Sequence, residues 1–145
     1  GPWYYEQIEL GYNYRMTDIS AAIGREQLKK VANFNARRRE IADMYNSELS
    51  ELVTTPKNRR GHVFHQYTIR CNRGDELREF LLNRKINSGS YYPSLLYNYP
   101  SMVAYQSSCP NAEILIKEVL SLPVHPALSD SDVFEVISSI KDFFK

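Results

Sequence analysis

A cluster of polar and aromatic residues near the N-terminus carries side chains suited to binding an anion. Tyr12, Asn13, Tyr14 and Arg15 are consecutive and stand just before a predicted helix start. Arginine binds phosphate or carboxylate through paired hydrogen bonds, and an asparagine amide both donates and accepts. From the residues alone two interpretations stay open. The cluster is either an anion site or, the favoured interpretation, a set of hydrogen bonds that fixes the lead-in backbone.

The other reactive residues form no catalytic motif. The sequence has neither a glycine-rich phosphate loop nor a Gly-x-Ser-x-Gly elbow. His62 and His65 are three residues apart, which in a strand places them on opposite faces and argues against a shared metal site. Cys71 and Cys109 have no pair spacing and are predicted to be free thiols. The basic run Arg37–Arg39 is compatible with a phosphate contact, but a solvated helix face is favoured.

Composition excludes several classes of partner. The 145 residues are enough for one domain, and 43% hydrophobic with 24% charged residues is typical of a soluble globular protein. The net charge of +1 gives no electrostatic footprint for nucleic acid or an anionic membrane. No apolar run reaches the ~18 residues that span a bilayer, and no signal peptide opens the chain. We therefore expect a cytoplasmic location.

Capping residues and apolar periodicity predict the helices that must position these residues. Thr17 is a candidate N-cap, and Asp75 can cap a third helix. Ser129 followed by Asp132 has capping-box spacing before the last helix. The predicted helices are one that starts after Thr17, then about 33–52, 76–84 and 110–118, and a last one after Ser129.

Alternation and breaker residues predict three strands, over Val63–Arg70, residues 86–92 and Val119–Leu122. Strands and helices in this order favour an α+β fold, a small sheet covered by helices in two layers, over a doubly wound nucleotide fold.

Several short segments, taken in order, resemble the DegT/DnrJ/EryC1/StrS aminotransferases, which act on nucleotide-linked keto sugars. The resemblance covers nearly the whole chain, and the ordered set is more specific than any one motif. The matching segments are Gly11–Asp18, Ala21–Gly24, Gln27–Leu28, Arg37–Ala42, His62–Tyr67, Tyr92–Pro93 and Leu120–Pro126.

The resemblance implies a fold-type I enzyme that uses pyridoxal 5′-phosphate, with active sites at a homodimer interface. Such enzymes move an amino group, usually from glutamate, to the ketone of a sugar nucleotide, as perosamine synthetase does. Residues 1–16 would then be a lead-in that belongs to a missing N-terminal large domain. Residues 17–145 would be the small C-terminal domain, with a mainly antiparallel sheet and the long linking helices.

Carried over by position, Asn13 resembles the residue that reaches the cofactor phosphate in the partner subunit's site. Arg15, Tyr14 and His65 resemble residues that line the substrate site. Tyr91 departs from the family, where a histidine is common before the aromatic-proline pair. His125 is interpreted as a packed loop residue.

The resemblance also places the Schiff-base lysine in the missing domain. The seven lysines of the chain lie in no context that resembles the family's lysine segment, so we expect the chain alone to be inactive and to bind no cofactor. Two alternatives stay open: a cofactor-dependent sugar dehydratase of the same family, and a non-enzymatic regulatory or dimerisation module.

Overall fold

The computed structural model describes residues 6, 8–12, 14–105 and 107–145. The chain divides into two compact units, residues 1–32 and residues 33–145. The first unit contains helix α1, Asp18–Leu28, which presents no buried residue. Its predicted N-cap is confirmed, because the Thr17 hydroxyl accepts a hydrogen bond from the Ser20 amide at 3.3 Å.

Helix α2, Val31–Leu49, leads into the second unit, which holds the remaining elements. Short 3₁₀ turns occupy Leu96–Asn98 and Pro100–Tyr105. The other elements, in chain order, are strand β1 (Tyr67–Arg70), helix α3 (Gly74–Asn83), helix α4 (Pro110–Leu115), strand β2 (Val119–Leu122) and helix α5 (Asp130–Phe143).

Strands β1 and β2 form an antiparallel pair in which Tyr67 faces Leu122 and Arg70 faces Val119. Each edge of the pair is extended by a single isolated bridge: Thr54 pairs with Arg70, and Gly89 pairs with Ser121. A two-stranded ribbon is marginal in water on its own, so its stability must come from the helices that pack on it.

The core joins one apolar stripe from each of α2, α3 and α5 to the side chains of the ribbon. The Tyr45 and Tyr67 rings pack at 4.9 Å between centroids and are both fully buried. The other fully buried large side chains are Phe64, Ile41, Leu49, Ile69, Leu77, Leu81, Leu120, Ile140 and Val133.

The capping box predicted for the last helix is confirmed. The Ser129 hydroxyl accepts from the Asp132 amide at 3.2 Å, while the Asp132 carboxylate accepts from the Ser129 amide at 2.8 Å. Hydrogen bonds from the Ser129 side chain and backbone lower the pKa of Asp132. The third helix differs from its prediction, because Arg73 occupies the N-cap without a side-chain bond and Asp75 lies in the first turn.

Two of the three predicted strands are wrong in extent, and β2 alone has its predicted bounds. The predicted strand Val63–Arg70 begins only at Tyr67, because Phe64 takes a left-handed φ of 49° and turns its ring into the core. The predicted strand over residues 86–92 is reduced to the bridge at Gly89. Its first residue, Ile86, instead ends α3 by donating its amide to the Leu81 carbonyl at 2.9 Å.

The predicted fold class is confirmed, since an antiparallel sheet is covered by helices in an α+β arrangement. None of the helices in the described part of the chain combines the length and the apolar character needed to cross a bilayer.

Two leucines of α3 provide a test of the core. Leu77 is fully buried whereas Leu82 is 58% exposed. We expect Leu77→Ala to lower the free energy of unfolding by about 2–5 kcal/mol, and Leu82→Ala, the matched control, by about 0.5 kcal/mol or less. Urea unfolding followed by circular dichroism measures both, and equal losses would contradict this assignment of the core.

Candidate functional site

A cleft of about 500 Å³ lies in the second unit beside the end of β2. Its walls come from α2, from the loop before β1, from the turn after α3 and from the segment that follows β2. The lining residues are Arg38, His65, Gln66, Asn87, Ser88, Gly89, Tyr91, Ser121, Leu122, Pro123, Val124 and His125. We call this group the Arg38 cleft. Its volume is in the range of small-molecule sites.

One wall of the Arg38 cleft is fixed by the core. The buried Tyr45 hydroxyl donates a hydrogen bond to the Pro123 carbonyl at 2.8 Å, which holds the chain just after β2. Burial raises the pKa of Tyr45 far above its ordinary value, so the phenol stays a donor through the physiological pH range. Another part of the lining is held by the paired amides and carbonyls of Gly89 and Ser121, at 2.8 and 3.1 Å.

A clamp from α2 fixes the loop that carries His125. Arg37 donates to the Leu128 carbonyl at 2.8 Å and to the Asp130 carboxylate at 2.7 Å. The hydrogen bond with Asp130 raises the pKa of Arg37, so the clamp keeps its charge. Within the loop, His125 Nδ1 accepts from the Ala127 amide at 3.1 Å.

The chemistry of the Arg38 cleft is that of an electropositive polar site. Its lining, within the described residues, contains one guanidinium and two imidazoles but no carboxylate and no lysine. Amide and hydroxyl groups of Gln66, Asn87 and Ser88 add neutral donors. Such a lining suits a polar ligand with negative charge better than a cation.

The predicted site residues lie in different units of the chain. His65 is exposed and lines the Arg38 cleft in the second unit. Tyr14 and Arg15 belong to the first unit and are also exposed, with the Tyr14 ring 5.7 Å from that of Tyr12. Asn13 lies outside the described residues, so its role as a phosphate contact stays a prediction.

Sequence reasoning missed Arg38 and misplaced His125. The solvated-face interpretation of the basic run holds only for Arg39, because Arg37 forms the clamp and Arg38 lines the cleft. A signal was present, since Arg38 continues by helical spacing the stripe whose buried members include Ala42 and Tyr45. His125, which is interpreted from sequence as a packed loop residue, is hydrogen-bonded within its loop but is also exposed and lines the cleft.

The remaining histidines and cysteines, where the structure describes them, form neither a metal site nor a disulfide. His62 and His65 lie in a loop rather than in a strand, and the His62 Nδ1 accepts from the Phe64 amide at 3.0 Å. No group of three potential metal ligands comes together in the part of the chain that is described. Cys71 and Cys109 are both free, as predicted, the first buried and the second exposed.

Comparison with known proteins shows which family this sequence resembles along its length. The sequence pattern of the DegT/DnrJ/EryC1/StrS aminotransferase family matches residues 2–141. The chain belongs to this family. Four of the family segments quoted above meet at or beside the cleft: the α2 arginines, the paired-histidine loop, the Tyr92–Pro93 pair next to Tyr91, and Leu120–Pro126.

Individual relatives are similar along nearly the whole chain. The chain is 38% identical to a pleiotropic regulatory protein of Geobacillus stearothermophilus, with 99% of this chain and 41% of that protein covered. It is 36% identical to the GDP-perosamine synthase of Escherichia coli O157:H7, over 93% of this chain and 38% of that protein. A family aminotransferase of Brucella abortus superposes with a TM-score of 0.89 at 31% identity, over 99% of this chain and 40% of that structure.

The chain therefore spans about 40% of the length of the proteins it matches. Pyridoxal phosphate needs a lysine for its aldehyde, an acidic partner for its ring nitrogen and donors for its phosphate. Within the described residues, the Arg38 cleft supplies neither the lysine nor the acid. The cleft thus does not by itself fit the cofactor.

The link between Tyr45 and Pro123 is testable by its pH dependence. At pH 7, Tyr45→Phe is expected to cost about 1 kcal/mol of unfolding free energy, because a hydrogen bond to a carbonyl is lost. Unfolded tyrosine ionises near pH 10, whereas the raised pKa keeps the folded Tyr45 neutral. Its stabilising contribution is therefore fully present below pH 10 and is lost as the pH rises through the folded pKa.

The wild-type advantage over Tyr45→Phe should then shrink by about 1.4 kcal/mol per pH unit above pH 10. Urea unfolding at pH 7, 10 and 11 gives the comparison. Tyr105→Phe, which changes a phenol that is 74% exposed, serves as the control at pH 7. A constant difference across this pH range would contradict the buried, neutral state of Tyr45.

Proposed function

We propose that the chain is the C-terminal part of a pyridoxal-phosphate-dependent aminotransferase that acts on nucleotide-linked keto sugars. The observation that carries this proposal is the convergence of separate family segments on the Arg38 cleft, including His65 and His125. The relative named GDP-perosamine synthase supports a sugar substrate. The protein is proposed to be a cytoplasmic homodimer, with residues 1–16 contributing to the larger N-terminal domain.

In this proposal the cofactor supplies the electron sink, and the residues of the chain bind and orient substrate. The Arg38 cleft forms the wall of the substrate site in the small domain. Its fixed charge attracts anionic substrate groups, while His65 and the amide side chains hold sugar hydroxyls through hydrogen bonds. The family resemblance assigns substrate contacts to Tyr14 and Arg15 as well, and it assigns to Asn13 the cofactor phosphate of the partner subunit.

A regulatory role is the second candidate, because one relative that is 38% identical is named a pleiotropic regulatory protein. In this case the Arg38 cleft would bind an effector rather than a substrate. The two candidates differ in one property, which is the turnover of glutamate.

The reaction can be tested without knowing the sugar. The protein encoded together with the region upstream of residue 1, loaded with pyridoxal phosphate, should release 2-oxoglutarate from glutamate and change the cofactor's visible absorbance. A keto-sugar nucleotide should restore that absorbance. A sugar product that carries the amino group of glutamate distinguishes an aminotransferase from a dehydratase, which leaves no amino group on the sugar, and from a regulator, which makes no product.

The 145-residue chain is the matched control for this assay. We expect it to develop no absorbance of lysine-bound cofactor and to form no 2-oxoglutarate. The reason is that none of its seven lysines lies in a segment resembling the family's cofactor site. A lysine-bound spectrum that disappears when one of these lysines is changed to arginine would overturn the expectation.

The contribution of Asn13 across the dimer is tested in the same longer protein. Asn13→Ala should weaken retention of the cofactor by about tenfold, because a hydrogen bond to a charged phosphate is lost. Dialysis against buffer, followed by absorbance, measures the retained cofactor.

Mixed dimers locate the defect. When Asn13→Ala subunits are paired with subunits that lack the cofactor lysine, the remaining lysine and the intact Asn13 lie in the same site if Asn13 acts across the interface. That one site should then hold cofactor as well as a wild-type site does. Retention as poor as that of the Asn13→Ala homodimer would show that Asn13 acts within its own subunit.

A further inference from the structure

Arg38 lies in an unusual position for a charged side chain. By helical spacing it continues the stripe of α2 whose buried members include Ala42, Tyr45 and Leu49. Its Nε is buried and, among the described residues, has no hydrogen-bond partner. Buried polar atoms in folded proteins nearly always have a partner, so an orphan donor in a cleft indicates a group that a ligand would satisfy.

Ser88 shows the same pattern in the lining of the same cleft. Its hydroxyl oxygen is also buried without a partner within the described residues, and Ser88 lines the same cleft as Arg38. These two atoms are the unsatisfied buried side-chain atoms found in the described part of the unit. Their presence in a single cleft argues against two unrelated packing defects.

The neighbouring arginines differ from Arg38, whose buried Nε has no partner in the described part of the chain. Arg37 is engaged by the Leu128 carbonyl and by the carboxylates of Glu40 and Asp130, at distances of 2.7–3.3 Å. Arg39 is exposed to solvent. Arg38 alone in this run combines burial of a donor with a place in the cleft.

The charge of the Arg38 cleft defines the ligand. No carboxylate lines it in the described residues, so the guanidinium has no built-in counterion there. An arginine fork matches the geometry of a carboxylate, with two parallel hydrogen bonds. A diphosphate carries more negative charge and is usually bound by several cations or by a helix N-terminus, and the described lining offers one guanidinium and no lysine.

We propose that Arg38 and Ser88 form a carboxylate subsite that binds the acid group of a small organic acid in the cleft. The inference rests on the proposed function, in which that acid is the amino donor. Binding turns the guanidinium so that Nε and one Nη face the two carboxylate oxygens, and the Ser88 hydroxyl donates to one of them. The remaining polar lining is left for the rest of the ligand.

Binding to the 145-residue chain tests the subsite without cofactor or turnover. Glutarate is the probe, because it has the carboxylates of the donor but no reactive amine. Titration of ¹⁵N-labelled protein should shift the backbone amides of Ser88 and His125 in a saturable way. Sodium chloride at matched ionic strength controls for screening.

Four variants separate the subsite from a general effect of charge. Arg38→Gln should weaken glutarate binding by about tenfold or more, and Ser88→Ala by a smaller factor. Arg38→Lys should restore only part of the affinity, because lysine keeps the charge but lacks the planar fork. Arg39→Gln, the exposed neighbour, should leave affinity within about twofold.

Thermal unfolding shows whether each variant is folded. If Arg38→Gln does not fold, the glutarate affinity of Ser88→Ala is compared with that of the wild type instead, because this variant removes only a hydroxyl. Three results would overturn the subsite: no saturable shift with glutarate, equal losses in Arg38→Gln and Arg39→Gln, or tighter binding of inorganic pyrophosphate than of glutarate. The last result would assign the cleft to phosphate.

The outcome is distinguishable from that of the proposed function. If glutarate binding depends on Arg38 but the longer protein forms no 2-oxoglutarate, the subsite is retained and the aminotransferase function is rejected. If the longer protein transaminates but Arg38→Gln leaves its KM for glutamate unchanged, the function is retained and the subsite is rejected.

Discussion

The second unit depends on the buried face of α2, and above all on Tyr45. Its ring packs on Tyr67 of β1, so it belongs to the core that stabilises a ribbon of only two strands. Its hydroxyl reaches the Pro123 carbonyl, so the same side chain also fixes the backbone that forms one wall of the cleft. Stability and site geometry are therefore coupled in one residue. A tyrosine can do both because it combines a large apolar ring with one polar atom.

The helices were predictable because their determinants are local. Thr17 and Ser129 begin helices through side-chain hydrogen bonds to amides three residues on, and a spacing of this kind can be recognised in the sequence. The apolar stripe predicted for the last helix is likewise buried, with Val133, Ile137 and Ile140 in the core. Local hydrogen bonds and a helical period leave little for tertiary packing to change.

The strands were less predictable because tertiary contacts override alternation. Residues from Val63 onward alternate well enough for a strand, yet Phe64 is pulled into the core with a left-handed backbone, and its amide bonds to the His62 ring. The pairing that remains, four residues in each strand, is set by contacts with β2, which lies far along the chain. Alternation in the sequence shows which residues are apolar, but it does not show at which residue the pairing of two strands ends.

The candidate site shows the same limit at the level of single residues. Three consecutive arginines look alike in sequence, but α2 turns them in three directions: Arg37 toward an acidic loop, Arg38 along the apolar stripe and Arg39 into solvent. His65 could be proposed as a substrate contact because its segment resembles a family motif, and that role stays a prediction. Arg38 could not be assigned in this way, because the signal is a buried donor that has no partner among the described residues, and only the folded chain reveals it. A cation placed on a buried helical stripe is costly unless something binds it, and this cost is the physical reason to look for a ligand at Arg38 before any other residue of the run.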